Sequence, residues 1–154
     1  MDPDGVEILL VEDDPKDVRL TLLALEKENV KNRINVVRDG EEALDFVFCR
    51  RTFSGRSPTH PPKLILLDLK LPKVDGTEVL RQIKSNARTQ AIPVVILSSS
   101  REERDLVESY KLGVNSYMHK SADFDQFRET IRTVGLYWLV VNQPPPEKAF
   151  ELES

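Results

Sequence analysis

Asp68 closes the apolar run Leu64-Ile65-Leu66-Leu67 and is followed by Leu69-Lys70-Leu71-Pro72. A carboxylate at the end of a fully buried parallel strand sits where open α/β sheets bind ligands, in the crevice outside the strand C-termini. Three other apolar runs end in residues that can do chemistry. Ile8-Leu9-Leu10-Val11 runs into Glu12-Asp13-Asp14, Val94-Val95-Ile96-Leu97 into Ser98, and Tyr117-Met118 into His119-Lys120. An acidic cluster, a further aspartate, a hydroxyl and an ammonium are thereby aimed at one rim. Hard carboxylate oxygens suit a divalent cation, and a lysine with a hydroxyl suits the oxygens of a phosphoryl group.

The elements that must hold these groups are legible in the same pattern. The 154 residues are enough for one domain with a proper core. Hydrophobic residues make up 40% and charged ones 31%, an ordinary globular balance. Apolar runs alternate with helical patterns, the signature of βαβ units and a parallel sheet. The first strand spans 6–11, and a helix starts at Pro15 with Asp14 as its N-cap and Val18, Leu22 and Leu25 as its buried stripe. Ile34 to Val37 reads as the second strand, and Asp39-Gly40 turns into a helix carrying Ala43, Leu44, Val47 and Phe48. Residues 51–62 contain Gly55, Pro58, Pro61 and Pro62 and are expected to form an exposed loop. Arg50, Arg51, Arg56 and Lys63 make this stretch basic, a solvated loop by default and a guide for an acidic partner as the less favoured reading.

The third strand ends at Asp68, and Asp75-Gly76 turns into a helix with Val79, Leu80 and Ile83 inward. The fourth strand ends at Ser98, and Ser100 with Glu103 forms a capping-box pattern that opens the next helix. Gly113 ends that helix, and a short strand covers 116–119. The last helix carries Phe124, Phe127, Ile131, Val134, Trp138 and Val141, after which Gln143-Pro144-Pro145-Pro146 begins a polar tail expected to be extended or mobile. The alternation predicts a (βα)₅ doubly wound, parallel five-stranded sheet of flavodoxin-like order, with the first and third strands meeting at the switch point. Residues 1–142 are assigned to this unit and 143–154 to the tail. Leu136-Tyr137-Trp138-Leu139-Val140-Val141 is apolar all round, more than one core-facing stripe needs. Either the tail folds over this patch or a second protomer covers it; a homodimer through Leu136, Tyr137, Trp138 and Val140 is the favoured expectation.

Taken singly, each site residue has an ordinary explanation. Glu12, Asp13 and Asp14 favour the positive end of a helix, Asp68 a turn before Pro72, Ser98 a strand end and Lys120 a solvated charge. Jointly and in this order, the set resembles the receiver domain of two-component response regulators. The resemblance runs from Ile8 to about Val141 and includes Leu67-Asp68-Leu69-Lys70-Leu71-Pro72, Val74-Asp75-Gly76 and Pro93-Val94-Val95-Ile96-Leu97-Ser98. It implies a phosphoprotein switch rather than a classified enzyme, with Asp68 accepting a phosphoryl group from a sensor histidine kinase. It implies Mg²⁺ ligated by Asp13, Asp68 and the Lys70 backbone carbonyl, with Glu12 acting through water. It implies Ser98 and Lys120 on the phosphoryl oxygens, and Tyr117 turning inward as Ser98 is drawn to the phosphoryl group. The loop at 51–62 and the long last helix resemble the stand-alone regulators paired with cyanobacterial and bacterial phytochromes.

Two positions depart from the family pattern. Ser121 follows Lys120 where the family commonly has proline after a cis peptide; a non-proline cis bond costs about 2.5–4 kcal/mol, so the site either holds that strain or the bond is trans. Lys70 is bulky and charged two positions after the acceptor, where it affects how hydrolytic water approaches. A phosphohydrolase with an aspartyl-phosphate intermediate normally has a second aspartate where Lys70 stands. A nucleotide-binding domain would need a glycine-rich loop in place of Glu12-Asp13-Asp14-Pro15. A pseudo-receiver that binds partners without phosphorylation is the remaining alternative. The charge of −4 argues against nucleic acid, no run approaches a membrane span, and the single Cys49 suits a reducing cytoplasm. Output is expected to be a protein contact, since few residues follow the last helix. His60, His119 and Cys49 lack metal-ligand spacing.

Overall fold

In the computed structural model, which describes residues 5–27 and 33–151, strands Ile8–Val11 (β1), Ile34–Val37 (β2), Leu64–Leu67 (β3), Val94–Ser98 (β4) and Ser116–His119 (β5) form one parallel sheet. Their order is β2-β1-β3-β4-β5, so the winding order reverses between β1 and β3 and opens a crevice there. Helices Pro15–Lys27 (α1), Gly40–Val47 (α2), Gly76–Ser85 (α3), Glu103–Leu112 (α4) and Phe124–Leu136 (α5) alternate with the strands.

Strand side chains alternate between two cores, as the pleat requires. Ile8, Leu10, Leu64, Leu66, Val95 and Leu97 pack with Val18, Leu25, Phe127, Ile131 and Val134 of α1 and α5. Leu9, Val11, Ile65, Leu67, Val94 and Ile96 pack with α2 and α3 on the other face. Burial on both faces explains why these strands read as unbroken apolar runs. Asp14 caps α1 through a 2.9 Å bond from the Lys16 N–H, and Asp39 caps α2 through a 2.7 Å bond from the Glu42 N–H. Gly113 ends α4 at φ +101°, the left-handed position glycine tolerates.

Several local expectations are corrected. Helix α4 starts at Glu103 with Glu102 as cap and no side-chain cap bond. Ser100 stands two residues before the cap: its hydroxyl donates to Asp105 at 2.5 Å and accepts from the Glu102 N–H at 3.3 Å, and its carbonyl accepts from Tyr117 at 3.1 Å. On α1 the buried face includes Thr21 and Ala24, while Leu22 is half-buried. Phe124 and Val141 are exposed rather than inward. The helix changes to a π turn over Tyr137–Val141, which alters the residues per turn and swings Val141 outward.

The loop at 51–62 is not simply solvated. A tight helical turn spans Arg51–Phe53, and Arg56 is only 4% exposed. Its guanidinium stacks 3.8 Å from the Phe46 ring centroid and donates to the carbonyls of Phe46 and His60. Carboxylates elsewhere in the fold meet the neighbouring charges: Arg51 pairs with Glu41 at 2.8 Å and Lys63 with Glu7 at 3.2 Å. These charges have intramolecular partners, while Arg50 and Arg51 stay exposed and Lys63 half-buried. Residues 143–151 are docked rather than free: after Pro144-Pro145-Pro146 a helical turn over Glu147–Phe150 carries Phe150 into the α2/α3 core at 3% exposure. Burial of that ring offsets the entropy of ordering the segment. The tail runs beneath the N-terminal edge of the sheet, where a cavity of about 290 Å³ lies among Val6, Pro61, Pro62, Pro93 and Pro145. It leaves the apolar patch on the last helix uncovered.

Candidate functional site

Matched register brings the acidic groups together. Ile8 through Val11 stand opposite Leu64 through Leu67, so Glu12 and Asp68 leave the sheet at the same level. The Asp68 N–H donates to the Val11 carbonyl at 3.1 Å, extending the ladder one step into the site. Carboxylate oxygens of Glu12, Asp13 and Asp68 lie within 4.8 Å of one another. Glu12 is buried, Asp68 half-buried and Asp13 exposed. Lys70 is exposed beside them and its N–H donates to Asp68 Oδ1 at 3.4 Å.

Lys120 arrives from the far side because Ser98 stands opposite His119 in the β4–β5 register. Its N–H donates to the Ser98 carbonyl at 2.6 Å. Its ammonium lies 2.6 Å from Glu12 Oε1, 2.9 Å from Asp17 Oδ2 and 3.4 Å from Asp68 Oδ2. All three of its donors are thus engaged. Burial alone would lower the Lys120 pKa, but hydrogen bonds to Glu12 and Asp17 and the Asp68 charge outweigh it and raise it. Burial pushes the Glu12 carboxyl up to about 7, with Lys120 opposing and Asp68 reinforcing the shift. Described peptide bonds are all trans, Lys120–Ser121 included.

Ser98 is buried at the end of β4, and its hydroxyl accepts from the Ser100 N–H at 3.1 Å. Tyr117 is half-buried, tied to the Ser100 carbonyl as described above, so both residues meet the same short loop. His119 faces Arg101, whose Nε lies 3.0 Å from its Nε2. Cys49 sits just past α2, with the Arg56 guanidinium 3.6 Å from its sulfur. Asp17, in the first turn of α1, was not among the residues the sequence marked. Acids at a helix start have an ordinary dipole explanation, and nothing in their spacing points toward Lys120. On the last helix Tyr137 and Val140 are exposed, while Leu136 and Trp138 are half-buried and Trp138 packs on the α1/α5 core. Among the described residues, no helix is long and apolar enough to cross a membrane.

A family model described as the response regulator receiver domain matches residues 8–132. The probable methanogenesis regulatory protein FilR2 of Methanothrix harundinacea is 44% identical over 138 residues, covering 90% of this chain and 86% of that protein. The response regulator Rcp1 of Synechocystis sp. is 40% identical over 86% of this chain and 88% of its own length. Its Mn²⁺-bound crystal structure superposes with a TM-score of 0.84 at 38% identity, covering 90% of this chain and 97% of that one. The crystal structure of the phosphorylated cyanobacterial phytochrome response regulator RcpA gives a TM-score of 0.84 at 42% identity, over 90% of this chain and 96% of that one.

Proposed function

This chain belongs to the response regulator receiver family, and from that premise we propose that it is a stand-alone response regulator phosphorylated on Asp68 by a sensor histidine kinase of the phytochrome class. The observation that carries the proposal is the convergence of Glu12, Asp13 and Asp68 on one side of the Lys120 ammonium. In the transfer, an Asp68 carboxylate oxygen attacks phosphorus. The P–O bond forms as the P–N bond to the kinase histidine breaks, and that bonding pair stays with the imidazole nitrogen. A carboxylate is a weak nucleophile toward an anionic donor, so charge neutralisation and positioning must do most of the catalysis.

Three hard carboxylates this close suit Mg²⁺, which prefers oxygen ligands and keeps several waters. Asp13 and Asp68 would hold the ion directly with the Lys70 carbonyl, and Glu12 through water. When bound, the cation neutralises charge on the carboxylates and the phosphoryl oxygens. Lys120, already aimed at Asp68, supplies the fixed positive charge on the other side. Ser98 would donate its hydroxyl hydrogen to a phosphoryl oxygen, and any shift of its oxygen is felt by the Ser100 N–H that it accepts from. Tyr117 shares that loop through the Ser100 carbonyl, which supports its role as the residue that relays the change. The acyl phosphate would carry about −1.5 to −2 charge in place of the −1 of the Asp68 carboxylate, so the switch is electrostatic first.

The phytochrome assignment is supported by the likeness to RcpA, and the stand-alone reading by near full-length matches to short relatives. Output passes through protein contacts in the cytoplasm rather than nucleic acid, with a homodimer forming through Tyr137 and Val140, which stand 48% and 70% exposed. The receiver unit is taken as 1–142 and the following segment as its tail. The test is transfer from a radiolabelled, phosphorylated phytochrome kinase, followed by size-exclusion chromatography. Label on the wild type and none on Asp68→Asn is expected, with elution as a dimer. Label on the variant would place the acceptor elsewhere, and monomeric elution in both states would remove the dimer. No label from any kinase would favour the pseudo-receiver.

A further inference from the structure

We propose that Asp17 is a positioning residue that holds the Lys120 ammonium toward α1 and thereby restrains the uptake of a phosphoryl group; this rests on the reading of Asp68 as phosphoacceptor. Lys120 lies closer to Asp17 (2.9 Å) and Glu12 (2.6 Å) than to Asp68 (3.4 Å). The two closer contacts therefore fix where the ammonium sits. Glu12 is one of the three clustered carboxylates, whereas Asp17 stands outside that cluster. Its side chain is 21% exposed, enclosed enough for the contact to be held rather than fleeting. The helix also fixes its backbone, since Asp14 caps α1 and the Val18 N–H donates to the Asp14 carbonyl at 3.0 Å.

One ammonium thus serves three carboxylates, and an incoming phosphoryl group must compete for it. Charge-assisted bonds of this kind are about twice as strong as neutral ones. Asp17 takes no part in the proposed cation site, so its hold on Lys120 acts on the anion alone. Asp17→Asn keeps shape and an acceptor oxygen while removing the charge. Lys120 then stays in place with more of its field directed at the phosphoryl position.

The experiment measures binding of beryllofluoride, a tetrahedral phosphoryl mimic, with Mg²⁺ present, by fluorine NMR and calorimetry. Asp17→Asn is expected to bind it about five-fold more tightly than wild type, with Mg²⁺ affinity in its absence changed by less than about two-fold. Asp17→Ser, which removes the contact, should shift binding in the same direction. Asp14→Asn, which removes a nearby charge that does not touch Lys120, should leave beryllofluoride affinity near wild type. On a Lys120→Ala background, Asp17→Asn should have no effect, because the restraint acts through the ammonium. Unchanged or weaker binding by Asp17→Asn in a wild type that binds the mimic would overturn the assignment and leave the phosphoacceptor reading intact. Equal tightening on the Lys120→Ala background would also overturn it, as a general charge effect. A wild type that binds Mg²⁺ but no beryllofluoride would instead sink the phosphoacceptor reading, and the restraint with it.

Discussion

Glu12 shows at the residue scale how the site strains against ordinary stability. The residue is 4% exposed, and burial raises its pKa from 4.5 to about 7, with Lys120 opposing and Asp68 adding to the rise. Between those values the folded protein keeps a proton that the unfolded chain has released. Its contribution to stability is therefore complete below pH 4.5 and is lost as the pH rises through about 7. In metal-free protein, denaturant midpoints should fall across this window, and Glu12→Gln should flatten the fall; an unchanged slope in the variant would contradict this origin. Glu12, Asp13, Asp68 and Lys120 were legible in sequence because each ends a strand-like run, and parallel strands deliver their C-terminal residues to one rim. Asp17 was not, since its partner lies 103 residues away and only the fold, which packs α1 against α5, brings them together. Arg56 escaped for a related reason. A buried guanidinium depends on the Phe46 ring and carbonyls that the fold alone assembles.

The loop between β3 and α3 holds Asp68 by close backbone approach. The Gly76 N–H donates to the Leu69 carbonyl at 2.8 Å and the Gly40 N–H to the Pro72 carbonyl at 3.2 Å. A Cβ on Gly76 would lie 2.2 Å from the Asp68 carbonyl oxygen and 2.6 Å from Leu69 Cα, contacts that only backbone movement can relieve. Gly76→Ala should cost about 1–3 kcal/mol and weaken Mg²⁺ binding by displacing Asp68. Chemical denaturation and calorimetric titration check both, and wild-type values in the variant would show that the loop is looser than its contacts imply. Asp75-Gly76 announced the turn, but the need for glycine was hidden in the distance to Asp68. Strand positions were read well because burial on both faces leaves continuous apolar runs. The last helix was read in one phase to Val141, and the π turn that breaks it has no counterpart in residue spacing.

Across the whole molecule, the tail joins layers that the sheet separates. It leaves α5 on one face and places Phe150 in the core on the other, passing beneath β1, β3 and β4. Phe150→Ala should destabilise the fold by about 3–5 kcal/mol, read as a lower denaturation midpoint, and a neutral effect would mean the segment is only loosely docked. A lone aromatic in a proline-rich stretch has no period, which is why this element looked like a free end. Transfer of one phosphoryl group to Asp68 is what the proposed function requires of this fold. The most direct measurement is intact mass after incubation with acetyl phosphate and Mg²⁺, with chelated and Asp68→Asn controls. A single added phosphoryl group is expected on the wild type and none in either control. A wild type that binds Mg²⁺ yet gains no mass, or an Asp68→Asn protein that gains it equally, would contradict phosphotransfer to Asp68.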